Sequence, residues 1–154
     1  MKRAKSLLAA LSVALISATS ALAGDGNMIM KESAHSVGVT IDRLAAAVEK
    51  AGAKVFIRVD HGAGAAGAGL ELGPNQMLMF GRPKMGTPLM QASPSMGLDL
   101  PLRVVAFEDA DGKVFVAYHD PAKMAKAHGV PTDHPTVLGV TGALDKLTNA
   151  ATGE

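Results

Sequence analysis

The stretch VDHGAGAAGAG, residues 59–69, sets Gly62, Gly64 and Gly67 in the spacing G-x-G-x-x-G directly after an apolar run. Glycines so spaced at a strand-to-helix turn let backbone amides approach a dinucleotide pyrophosphate. That chemistry also needs a full helix, a second parallel strand and, about 20 positions on, an acidic residue for the ribose hydroxyls. Here only AGLELGPN follows Gly67, and no acidic residue stands between Glu71 and Asp99. The glycines are therefore expected to form a short connecting helix or turn packed closely on a sheet. Asp60 and His61 adjoin at the end of the same run. An aspartate can orient an imidazole as a general base, but neighbours on a strand point to opposite faces. His61 is kept as a ligand-binding candidate, and as the base of a hydrolase-like enzyme only in a subordinate alternative; no catalytic residue is assigned.

The segment GRPKMGTP offers anion chemistry. Gly86, the Thr87 hydroxyl and free amides at a helix start can hold an anion, with Lys84 and Arg82 close by; the alternative is a capped turn with solvated basic residues. Arg103, an isolated cation in the apolar run LRVVAFE, either pairs with Asp99, Glu108 or Asp120 or meets a ligand carboxylate. Met77, Met79, Met85, Met90 and Met96 follow one another closely. Thioethers select Cu(I), so copper is the first alternative to a plain binding role, although methionine also fills cores and dimer interfaces. The five histidines, His35, His61, His119, His128 and His134, lack zinc-ligand spacing.

The elements that would carry these residues can be read from periodicity. Met28 to Ala34 is a candidate first strand. TIDRLAAAVEKAG has Thr40 as N-cap, Ile41, Leu44, Val48 and Ala51 at helical spacing, and Gly52 at the stop. AKVFIRVD alternates, with Val55, Ile57 and Val59 on one face and Phe56 and Arg58 on the other. QMLMFG is apolar on both faces, as in a central strand. GTPLMQA reads as a short helix capped by Thr87 with Pro88 at its first position. LRVVAFE, the DADG turn and KVFVAYH form an antiparallel hairpin. A helix runs from Pro121 to Gly129, a loop holds Pro131 and Pro135, and a weak helix begins near Thr141. The class is α+β, an antiparallel sheet with helices packed on it.

The first 23 residues place Lys2, Arg3 and Lys5 before an apolar stretch that ends in Ala-Leu-Ala at Ala23. This is the pattern of a cleaved secretory leader. Serines and a threonine interrupt the apolar part, which falls short of the roughly 20 residues that span a bilayer. A periplasmic or secreted product is expected, with no stable membrane insertion. Removal of 23 of the 154 residues leaves 131, residues 24–154, the size of a single domain. Three of the 15 Lys and Arg lie in the leader, so 12 face 14 Asp and Glu and the formal charge moves from +1 to near −2. With no Trp, one Tyr, four Phe and no basic run, the chain lacks the charge and stacking platforms of nucleic-acid binders. The same shortage of aromatics argues against carbohydrate. With no Cys, neither a disulfide nor a thiolate metal site is available.

VDHGAGAAGAGLEL, MFGRPKMGTPLMQ and GLDLPLRVVAFEDADGKVFVAYHDP, in that order and spacing, resemble the bacterial domain-of-unknown-function family 302, from about Ser36 to Gly129. His119 departs from the Asn usual there before Asp-Pro. The resemblance implies a compact α+β domain similar to the TATA-binding-protein type of fold, a homodimer, and no established activity. The resulting expectation is an exported, non-enzymatic binding module for a small ligand or anion. Its cleft would be formed near His61, Lys84, Gly86, Thr87 and Arg103, with no cofactor unless copper binds.

Overall fold

The computed structural model describes residues 26–153; the leader expected over residues 1–23 lies outside them. Among the described residues, alternating apolar residues form five strands: β1 (Met28–Ser33), β2 (Lys54–Asp60), β3 (Asn75–Gly81), β4 (Leu102–Glu108) and β5 (Val114–His119). They make one antiparallel sheet in the order β1-β5-β4-β3-β2. Strands β2 to β5 follow one another as neighbours, and β1 joins the outer side of β5. The helix α1 (Val37–Lys50) must therefore carry the chain from one edge of the sheet to the other. The remaining helices are α2 (His61–Gly67), α3 (Pro83–Ala92), α4 (Pro121–Ala127) and α5 (Pro135–Thr152), with a 3-10 turn over Pro94–Leu98. This is the expected α+β class.

The strand period of two divides the sheet residues between its faces. Leu78, Phe80, Val104, Ala106, Val114, Val116 and Tyr118 point to one side and are buried. Ile41, Leu44 and Val48 of α1 and Val137, Val140 and Leu144 of α5 join them in a single core. The opposite face carries Met30, Met77, Met79, Val105, Phe107 and Phe115, all half-buried. The tilted ring pair Phe107–Phe115, with centroids 6.0 Å apart, lies there.

Four local readings are corrected. Helix α1 begins at Val37 with Ser36 as its cap, so Thr40 is an interior residue; it is buried with its hydroxyl 2.7 Å from Ser33 Oγ and 2.9 Å from the Ser36 carbonyl. Ala51, expected on the buried stripe, is the exposed C-cap. In β2 a bulge falls between Val55 and Ile57. Val55 opposes Phe80 on the core side, whereas Ile57 and Val59 oppose Met79 and Met77 on the other, so the three do not share a face. Helix α5 begins at Pro135, six residues before Thr141, because a proline suits the first helical turn. The hairpin β4–β5 and the helix from Pro121, which ends at the His128 cap with Gly129 at φ +71°, lie where expected.

The glycine-rich stretch is the short helix α2 between two antiparallel strands, as its sequence context requires. Asp60 caps it, accepting from the Ala63 amide at 2.8 Å. A Cβ on Gly62 would stand 3.2 Å from the Gly73 carbonyl oxygen, so this glycine serves a close backbone approach.

Candidate functional site

A concavity forms where β3 gives way to α3. Pro83 supplies a first helical residue whose missing amide costs nothing there, so α3 starts five residues ahead of Pro88, the first helical residue expected from the sequence. Arg82 is its cap and makes no side-chain capping bond. Two consequences follow for the expected anion cradle. The Gly86 amide donates to the Arg82 carbonyl at 3.1 Å and is committed to the helix. Thr87 stands mid-helix beside Pro88, which has no amide to give the preceding turn.

Helix α3, the end of β3, the start of β4, α5 and the end of α1 enclose a pocket of about 280 Å³. Phe80, Met85, Met90, Leu100, Leu102 and Leu147 supply much of its wall, and Arg82 and Thr87 are its polar side chains. A Cβ on Gly86 would stand 3.7 Å from Leu100 Cδ1 and 3.8 Å from Met90 Cε, ordinary van der Waals contact, so a methyl group would fit there. Such a wall suits an apolar body, with one end of the ligand near a guanidinium and a hydroxyl.

A second, smaller pocket of about 200 Å³ opens where the β4–β5 ladder ends. Pairing runs from Glu108↔Val114 to Val105↔Ala117, and Leu102, Arg103, Tyr118 and His119, beyond the last pair, line the opening. Arg103 Nη2 reaches Asp99 Oδ1 at 3.3 Å, one of the ion pairs expected for it. The other carboxylate oxygen, Asp99 Oδ2, lies 2.7 Å from His128 Nε2.

The expected site residues therefore separate. Gly86 and Thr87 line the larger pocket, Lys84 lies exposed on α3 outside its wall, and Arg103 lines the smaller pocket. His61 is the exposed first residue of α2. Lys54 of β2 pairs with Gly81, next to α3, whereas Asp60 pairs with Gln76 at the other end of the same ladder. At ~3.3 Å per residue His61 stands about 20 Å along the strand from α3, so no single cleft joins it to Thr87. The methionines also disperse: Met77 and Met79 are on the open sheet face, Met85 and Met90 on the larger pocket, and Met96 in the core. Met77 shares the smaller pocket with Met28, Met124 and His119. Neither Met28 nor Met124 stood out in the sequence, because a Met-rich reading follows the chain and this grouping crosses it. Asp99 is expected as a partner of Arg103 but not of His128, which lies 29 residues further along the chain and has no local signal that would join the two.

The sequence profile described as "Domain of unknown function DUF302" matches residues 29–151. The chain belongs to the DUF302 family. The match is longer than the expected Ser36–Gly129 and takes in both β1 and α5, the elements that complete the sheet edge and the core. A solved DUF302 structure, the uncharacterized conserved protein from Bacillus stearothermophilus, superposes with a TM-score of 0.65 at 16% identity, covering 82% of this chain and 95% of that one. It shares the fold. Among curated proteins, the Fluoride-specific ion channel FluC 1 of Brucella suis biovar 1 (strain 1330) is 46% identical over 132 residues, 84% of this chain and 52% of that protein. Its namesake from Brucella abortus biovar 1 (strain 9-941) is also 46% identical, over 48% of its length. This DUF302 chain thus spans about half the length of the curated relatives it matches. Among its described residues no helix is long and apolar enough to cross a membrane.

Proposed function

We propose that this DUF302 chain is a binding module for a small, largely apolar molecule carrying one polar or acidic end, seated between α3 and α5. The observation that carries the reading is the pocket of about 280 Å³, walled by side chains such as Phe80, Met85 and Leu147, with Arg82 and Thr87 as its polar side chains. Each methylene transferred there from water contributes roughly 0.8 kcal/mol, and a carboxylate near Arg82 would fix the ligand's direction. This refines the expected small-ligand or anion role: apolar burial supplies the affinity and the cation orients. The leader fits an exported protein that meets such molecules outside the cytoplasm. The name of the Brucella relatives enters this reading through their length, with fluoride conduction assigned to the half that this chain does not match.

The test uses 1-anilinonaphthalene-8-sulfonate, whose fused rings and single sulfonate have the required chemistry, titrated by fluorescence against folded protein. Saturable binding is expected. Ala143→Phe, which fills the pocket from the α5 side, should weaken it at least tenfold while the far-ultraviolet circular dichroism stays unchanged. Equal affinity in wild type and Ala143→Phe would place the probe elsewhere and end the reading.

A further inference from the structure

A polar cluster apart from the apolar pocket has the connectivity of a nucleophile, a base and an orienting carboxylate. Ser95 lies on the 3-10 turn Pro94–Leu98, Asp99 caps the end of that turn, and His128 caps the end of α4. Ser95 Oγ is 2.7 Å from His128 Nδ1. His128 Nε2 is 2.7 Å from Asp99 Oδ2, and Asp99 Oδ1 accepts from Arg103 at 3.3 Å. The carboxylate can only accept, so Nε2 carries the imidazole proton and Nδ1 presents its lone pair to the serine hydroxyl. The side chains of the base and the carboxylate are shielded, at 10% and 19% exposure, while Ser95 faces solvent. Ser93 Oγ, 3.1 Å from Ser95 Oγ, sets a second hydroxyl beside the reacting atom.

We propose that Ser95, His128 and Asp99 form a nucleophilic relay that transfers an acyl group from a small carboxylic ester onto Ser95 and then to water. Ser95 Oγ attacks the ester carbonyl carbon while its proton passes to His128 Nδ1, and Asp99 stabilises the resulting imidazolium. The bond from the carbonyl carbon to the leaving oxygen breaks, and that oxygen takes the proton from Nδ1 to depart as an alcohol. Water, deprotonated by the same nitrogen, then attacks the carbonyl carbon of the acyl-serine; the bond from that carbon to Ser95 Oγ breaks, Oγ takes the proton back from Nδ1, and the carboxylic acid leaves. One ester and one water yield one acid and one alcohol. Leu98, exposed on the same turn, favours an uncharged, apolar acyl group.

The decisive measurement is labelling of the full chain by a fluorophosphonate, with the modified residue located by mass spectrometry and turnover followed on p-nitrophenyl acetate. Labelling at Ser95 is expected, abolished in Ser95→Ala and retained in Ser93→Ala. His128→Gln and Asp99→Asn should each slow labelling at least tenfold, and p-nitrophenyl acetate hydrolysis should fall in parallel. Because Ser95 is exposed, Ser95→Ala should unfold at the wild-type temperature. Absence of label on Ser95 would overturn the proposal. Labelling of Ser95 at the same rate in the native chain and in the chain unfolded by urea would overturn it equally, and this comparison does not depend on the His128 or Asp99 variants folding.

Discussion

A hydroxyl's worth depends on what surrounds it, and Ser36 and Thr40 show this within a single turn of α1. The capping pattern singled out Thr40, yet Ser36 has the extended backbone of the cap and only a marginal side-chain bond, 3.5 Å to the Val39 amide. Thr40 instead sits in the core with two short hydrogen bonds, to Ser33 Oγ and the Ser36 carbonyl. Removing an exposed bond at the limit of its length gives the group back to water, whereas removing a buried partner leaves the other without one. Thr40→Val should therefore cost about 1–2 kcal/mol in urea unfolding, and Ser36→Ala about 0.5 kcal/mol, the low end for a lost cap. A larger loss in Ser36→Ala than in Thr40→Val would contradict this placement.

At the scale of elements, the parts legible in the sequence were those whose signal is local. The β4–β5 hairpin announces itself by two alternating runs around DADG, and α4 by Pro121 and Gly129. The bulge in β2 leaves no such mark: Val55, Ile57 and Val59 alternate perfectly, and only pairing with β3 shows that one residue is skipped. The site was less legible than the fold, since each pocket joins segments far apart in the chain. Helix α5 was read as weak and late because its apolar stripe is sparse and Pro135 resembled a loop residue. Its strength comes from packing on α1 and the sheet, which no local window contains. Leu144 of α5 is 1% exposed, whereas Leu138 on the same helix is 60% exposed. Leu144→Ala should destabilise by about 2–5 kcal/mol through the lost contacts and the cavity left behind, and Leu138→Ala by less than about 0.5 kcal/mol. Equal effects in thermal unfolding would mean that α5 is not docked in this way.

At the scale of the whole molecule, the two faces of the sheet differ in what covers them. Helices α1 and α5 bury one, while the other presents Met28, Met30, Ile57, Met79, Val105 and Phe107, half-buried or exposed, with Glu32, Arg103 and His119 as polar interruptions. Contiguous apolar surface of this kind is unusual on a protein that stays alone in water. The homodimer implied by the family resemblance is proposed to form here, as two sheets packed face to face about 10 Å apart around a twofold axis. Val105 lies near the middle of the face, flanked by Met77 on β3 and Ala117 on β5. Val105→Lys puts a charge at the centre of such an interface, where desolvating it is costly, yet leaves the core on the far side of the sheet untouched. Sedimentation equilibrium should give twice the chain mass for the wild type and the single mass for Val105→Lys, with unchanged circular dichroism. A wild type that sediments as one chain up to its solubility limit would remove the dimer, and a variant that remains dimeric would move the interface off this face.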